Sequence, residues 1–125
     1  MGRSEPIAKL VVLVVEDEPL LRLVAVEMVE DGGFDALQAD GSNQAIRILE
    51  VRLDIRLVFT DIDMPRGVNG LELAAIIRDR WPPIAIIITS GKSAPMAKDM
   101  PAGTPFFAKP YQPEEVMAEM HRMAH

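Results

Sequence analysis

The chain has 125 residues, about half of them apolar, a net charge of −6 and no cysteine. That is enough for one domain with a packed core, and it excludes disulfides, thiolate metal sites and cysteine nucleophiles. The acidic balance leaves no basic face for direct nucleic-acid binding, and the longest apolar run falls far short of a membrane span.

Residues 1–9 are polar and contain Pro6, so they read as an N-terminal extension rather than a signal peptide, and a cytoplasmic protein is expected. The ordered domain is expected over residues 10–125. Residues 10–15 are all aliphatic and mostly β-branched, without alternation. Such a run suits a strand buried on both faces, as in parallel sheets. Pro19 fits the first turn of a helix reaching about Asp31, which Gly32-Gly33 ends. Residues 34–39 form a second, less apolar strand suited to a sheet edge. Ser42 is placed to cap a helix through Arg52, with Ala45, Ile46 and Leu49 at helical spacing. Residues 57–60 form the third strand. Residues 70–81 form the third helix, stopped by Pro82-Pro83. Residues 84–89 and 105–108 form the last two strands, and Pro113 opens a final helix to about Ala124.

Strands and helices alternating in this way predict an α/β fold, a parallel sheet with right-handed crossovers and helices on both faces. One stretch resists the pattern. Residues 92–103 should hold the fourth helix, but Pro95, Pro101 and Gly103 leave room for a short or irregular element only.

The polar residues that carry chemistry sit at strand exits. Glu16 and Asp17 follow the first strand, Asp61 follows the third, Thr89 ends the fourth and Lys109 follows the fifth. In open α/β sheets the carboxyl ends of the strands form the functional crevice. Taken singly, each has an ordinary explanation: turn or cap former for Asp, solvated lysine, β-prone threonine. Together they supply a carboxylate cluster faced by an ammonium and a hydroxyl. Oxygen ligands without histidine or cysteine suit magnesium rather than zinc or copper. An aspartate carboxylate is also an established nucleophile towards phosphoryl groups.

The runs Val14-Val15-Glu16-Asp17-Glu18-Pro19, Thr60-Asp61-Ile62-Asp63-Met64-Pro65 with Asn69-Gly70, Ile88-Thr89-Ser90-Gly91 and Lys109-Pro110-Tyr111 closely resemble a receiver domain of bacterial two-component response regulators. The likeness is to a stand-alone, chemotaxis-regulator-like receiver and spans essentially the whole chain. It implies a flavodoxin-like, doubly wound, five-stranded parallel sheet in the order 2-1-3-4-5. It also implies roles. Asp61 would be the phosphoacceptor. Asp17, Asp61 and the backbone carbonyl of Asp63 would ligate Mg2+ (or Mn2+), with Glu16 acting through metal-bound water. Thr89 and Lys109 would sense the phosphoryl group, and Phe106 would be the switch aromatic. The Lys109-Pro110 bond would be cis. The implied function is a phosphoacceptor in a phosphorelay, charged by a sensor histidine kinase or histidine phosphotransfer protein. Self-dephosphorylation would be slow, and an unknown downstream protein would be bound by a monomer or weak dimer.

Three departures from the resemblance stand out, the first being the proline-interrupted stretch 92–103 where the fourth helix is expected. The loop Pro65, Arg66, Gly67, Val68, Asn69 is one residue longer than is common, and Asp63 adds a carboxylate near the acceptor. On a helical wheel the first helix buries Leu20, Leu21, Val24, Ala25, Met28 and Val29. That leaves Leu23 and Val26 outside as a possible kinase-docking pair. The methionines of the last helix read as gap-filling core, and His121 and His125 suggest no role. Two other functions compete. Asp61-Ile62-Asp63 resembles the nucleophile run of haloacid-dehalogenase-type phosphatases, though it follows the wrong strand of too short a chain. A degenerate receiver binding partners without phosphorylation is the other, and the intact polar set argues against it.

Overall fold

The computed structural model describes residues 9–91 and 100–124. Its elements are β1 (Val11–Val15), α1 (Pro19–Asp31), β2 (Asp35–Ala39), α2 (Ser42–Val51), β3 (Ile55–Asp61), α3 (Gly70–Arg80), β4 (Ala85–Ser90), β5 (Phe106–Ala108) and α4 (Pro113–Ala124). The strands form one sheet in the order β2-β1-β3-β4-β5, every pairing parallel. This is the doubly wound topology expected from the alternating elements. The expected extension and the short or irregular fourth helix fall largely on residues outside those described.

Pleating sends alternate side chains to opposite faces, and the two cores follow that rule. Val11, Leu13 and Val15 of β1, Val58 of β3 and Ile86 and Ile88 of β4 join α2 and α3 on one face. Val12, Val14, Leu57, Phe59 and Ile87 join α1 and α4 on the other. Covered on both faces, β1 is buried along its whole length, which is why its sequence shows no alternation. Fully burying each such aliphatic contributes roughly 1.5–3 kcal/mol, so the central strands are rigid supports for whatever leaves their ends.

Local chemistry sets the helix starts beside those ends. Pro19 opens α1, and Glu18 caps it by accepting from the Leu20 and Leu21 N–H groups at 3.2 and 3.1 Å. The capping is thereby done by Glu18, which leaves Glu16 and Asp17 free of it. Asn69 caps α3 in a reciprocal box with Glu72. Gly70 follows because a Cβ there would stand 2.1 Å from the Asp61 carbonyl oxygen.

Two expectations fail. Ser42 is the first residue of α2 rather than its cap. Gly41 holds the cap position with no side chain to offer, and Gln44 Oε1 accepts the Asp40 N–H instead. The buried stripe of α1 is Ala25, Val26 and Val29. Val26 is 8% exposed and belongs to the core, so it is no docking residue, whereas Leu23 is 52% exposed. Leu20, Leu21 and Val24, expected inside, are 69%, 46% and 58% exposed. The first half of α1 is apolar on nearly every side, so periodicity does not choose a face. Packing against β1 and α4 chooses it.

Candidate functional site

Register places the polar residues level with one another at the carboxyl edge of the sheet. Val15 pairs with Thr60, Asp61 with Thr89, and Ser90 with Ala108, directly before Lys109. Backbone bonds extend this order past the strands: Glu16 N–H to Ala39 O, Ile62 N–H to Thr89 O and Lys109 N–H to Ser90 O, at 2.8–3.1 Å. Five loops are thus held in one layer.

Lys109 reaches back across that layer. Its Nζ lies 2.8 Å from Glu16 Oε1 and 3.3 Å from Asp61 Oδ2. Glu16 is further held by the Glu18 N–H on Oε2, and Arg22 Nη1 donates to its backbone carbonyl at 2.9 Å. Carboxylate oxygens of Glu16, Asp17 and Asp61 all lie within 4.8 Å of one another. Three hard oxygen donors at that spacing can hold a metal ion. Asp61 is only 4% exposed, and its Oδ1 and the Thr89 Oγ1 are buried without a hydrogen-bond partner among the described residues. Unpaired buried polar atoms are costly, and two at one strand edge mark a site prepared for a ligand.

The electrostatics agree. Burial pushes the Asp61 and Glu16 carboxyls above their ordinary values, and the nearby Lys109 ammonium offsets this only in part. Burial alone would lower Lys109, but its hydrogen bond to Glu16 and the charges of Glu16 and Asp61 outweigh that and leave it raised. The lysine is a fixed cation beside an excess of carboxylates.

The Lys109-Pro110 peptide is cis. Phe106 pairs with Ile88 on β5, part-buried against the α2–α3 core. Asp63 stands beside the cluster, its Oδ2 accepting from Ser90 Oγ at 2.7 Å. Leu23 lies apart on the outer side of α1.

Two contributors had no role in the sequence reading. Tyr111 packs edge-on against Phe59, ring centroids 5.8 Å apart, and burial raises its phenol. With Leu21, Val24 and Pro113 it lines a cavity of about 440 Å3 that opens onto Asp61 and Lys109. Ser90, which anchors Asp63, is the other. Both stand inside motif runs, so position was the available signal, but their contacts needed the fold. His121 also has a neighbour, stacking 4.8 Å from Phe34.

The response regulator receiver domain family matches residues 12–121. The chain belongs to that family. The DNA-binding response regulator MtrA of Mycolicibacterium smegmatis is 30% identical over 112 residues, covering 87% of this chain and 48% of MtrA. The receiver therefore spans about half of that relative's length. Among solved structures, a response regulator receiver protein from Pseudomonas putida is 30% identical with a TM-score of 0.83, covering 92% of this chain and 98% of that one. The response regulator TrrA from Thermotoga maritima, solved in complex with Mg(2+)-BeF, is 25% identical with a TM-score of 0.77, covering 90% and 97%. No described helix of this receiver is long and apolar enough to cross a membrane.

Proposed function

We propose that Asp61 is the phosphoacceptor of this receiver and that residues 10–125 form the phosphorylation-controlled unit. The observation that carries the reading is the buried, unpartnered Asp61 Oδ1 among carboxylates able to hold a cation, with Lys109 on its other oxygen. A carboxylate oxygen attacks the phosphorus of a phosphohistidine on a sensor kinase or phosphotransfer protein. The P–N bond breaks, its electron pair returns to the imidazole, and an acyl phosphate remains on Asp61. Water later attacks phosphorus, releasing inorganic phosphate and restoring the carboxylate.

The residues fit magnesium, with manganese as a substitute. Asp17 and Asp61 would hold it by side chains, Asp63 by its backbone carbonyl and Glu16 through water. A bound Mg2+ neutralises charge on the transferring oxygens. Lys109 supplies the second cation, exchanging its contact with Asp61 for a phosphoryl oxygen. Thr89 gives its unpartnered hydroxyl to another, and that movement clears space on β4 for Phe106 to turn inward. Charge added at one point is thus read out as a change of surface.

The donor docks on α1, where Leu23 stands exposed on the outer side and Leu21 and Val24 stand exposed at the cavity that opens onto Asp61. The reading places the protein in the cytoplasm, as a monomer or weak dimer acting on a downstream protein rather than on nucleic acid directly. Mass spectrometry after incubation with acetyl phosphate and Mg2+ tests the acceptor. One phosphoryl group on wild type and none on Asp61→Asn is expected; equal labelling of both proteins would rule out Asp61. Leu23→Glu should slow transfer from the cognate kinase about tenfold while leaving labelling by acetyl phosphate unchanged.

A further inference from the structure

On the α2–α3 side of the acceptor pocket lies a second cavity of about 360 Å3 whose lining includes Ser42, Asn43, Arg47 and Arg66, with Asp17 and Asp40. Its volume is within the range of small-molecule sites, about 300–1,000 Å3. The amino end of α2 opens here. A helix start leaves its first N–H groups without intrahelical partners and carries the positive end of the helix dipole. In most helices a side chain answers them, but Gly41 has none to give, and no side chain caps α2.

A second feature is independent of that helix end. Ser42 is fully buried, and its Oγ has no hydrogen-bond partner among the described residues. Gly67, whose φ is +72°, lies against this hydroxyl without a side chain. A Cβ on Gly67 would come within 2.5 Å of Ser42 Oγ and 3.2 Å of Asn43 Oδ1. Arg66, beside that glycine, and Arg47, one turn along α2, bring two guanidinium groups to the same cavity. Neither is ion-paired among the described residues. Gly67 and Arg66 both belong to the loop that is one residue longer than is common for receivers.

We propose that this cavity binds a phosphate dianion, free or as the head of a small phosphomonoester. Donors of three kinds converge on it: backbone N–H groups, a hydroxyl and guanidinium forks. A tetrahedral anion with several acceptor oxygens answers them better than a planar carboxylate does. The Asp17 and Asp40 carboxylates oppose it. Asp17 also belongs to the carboxylate cluster able to hold a cation, however, and Asp40 is exposed to solvent. The site takes a ligand, not the phosphoryl group in transfer, and does not depend on Asp61 being the acceptor.

Titration of the full chain with inorganic phosphate and, separately, ribose 5-phosphate, followed by amide NMR shifts, tests the proposal. Saturable shifts at Ser42, Asn43 and Gly67 are expected, with a dissociation constant on the order of 1 mM or below. Binding of both probes, or of phosphate alone, supports the site and distinguishes a phosphomonoester from free phosphate. The double variant Arg47→Ala/Arg66→Ala, which changes exposed side chains only, should weaken binding at least tenfold, and Ser42→Ala severalfold. Asp61→Asn should bind as wild type does. Shifts that do not saturate, shifts confined to Thr89 and Lys109, or equal affinity in the double arginine variant would each overturn the proposal.

Discussion

Where α2 and α3 hand over to the amino ends of β3 and β4, the ion pairs Arg52–Asp54 and Arg80–Glu50 lie open to solvent at 2.8 and 3.0 Å. At the carboxyl ends of the same sheet, Glu16 and Asp61 are buried and share a single lysine, and an Asp61 oxygen and the Thr89 hydroxyl are unpaired among the described residues. Exposed pairs of the first kind contribute little, because water solvates the separated charges almost as well. Burial of charged carboxylates opposes folding, and it is burial above all, with a small addition from the neighbouring carboxylate, that raises their pKa values. One end of the sheet is balanced in its resting state. The other is left unbalanced, and a cation or a phosphoryl group is what would balance it.

The strongest way to sharpen this contrast is Asp61→Asn. Phosphate uptake should vanish, while the metal-free protein becomes more stable by about 1 kcal/mol, a few degrees in Tm. A fall in Tm would show that Asp61 supports the fold instead of straining it.

Gly70→Ala probes the backbone that positions the acceptor. The added Cβ meets the Asp61 carbonyl oxygen and the Ile62 Cα, both backbone atoms unable to swing aside. A loss of about 3 kcal/mol in urea unfolding is expected, together with weaker phosphate uptake. Unchanged stability would mean that the close approach of α3 to β3 is relaxed in solution.

Acid–base behaviour gives a smaller effect. A carboxyl with a raised native pKa binds more protons folded than unfolded, so its stabilising contribution is present at low pH and lost as pH rises through the native value. Wild type should therefore lose stability relative to Asp61→Asn as pH rises above the ordinary carboxylate range in metal-free buffer. Added Mg2+ should reduce the difference, since a cation favours the charged form. A difference independent of pH in metal-free urea titrations would contradict the burial argument. Least of all should change in Glu50→Ala, which removes an exposed pair. A change below about 0.5 kcal/mol is expected, and a larger one would erase the contrast between the two ends.

Legibility followed the same geography. The strand exits could be read because short apolar, β-prone runs announce a doubly covered sheet, and Glu16, Asp17, Asp61, Thr89 and Lys109 stand at the ends of such runs. Nothing local distinguished Ser90 or Tyr111 from spacer residues, since their contacts lie 27 residues away at Asp63 and across the sheet at Phe59. The face of α1 misled for a related reason. With aliphatics on almost every side, the wheel rightly placed Ala25 and Val29 inside but added Leu20, Leu21 and Val24 and left out Val26, which the sheet and α4 accept. Ser42 read as a cap because Ser before a periodic helix usually is one; here the helix starts one residue earlier, and the hydroxyl is buried against Gly67 at the second cavity.

By itself the sequence determined the alternation of strands and helices, the topology and the set of polar groups at the carboxyl edge, because hydrophobic period and chain order act locally. Only the tertiary structure decided which oxygens remain unpaired, which side of α1 faces water and how the long loop meets α2. Those outcomes depend on which surfaces remain once every element competes for the same two faces of one sheet.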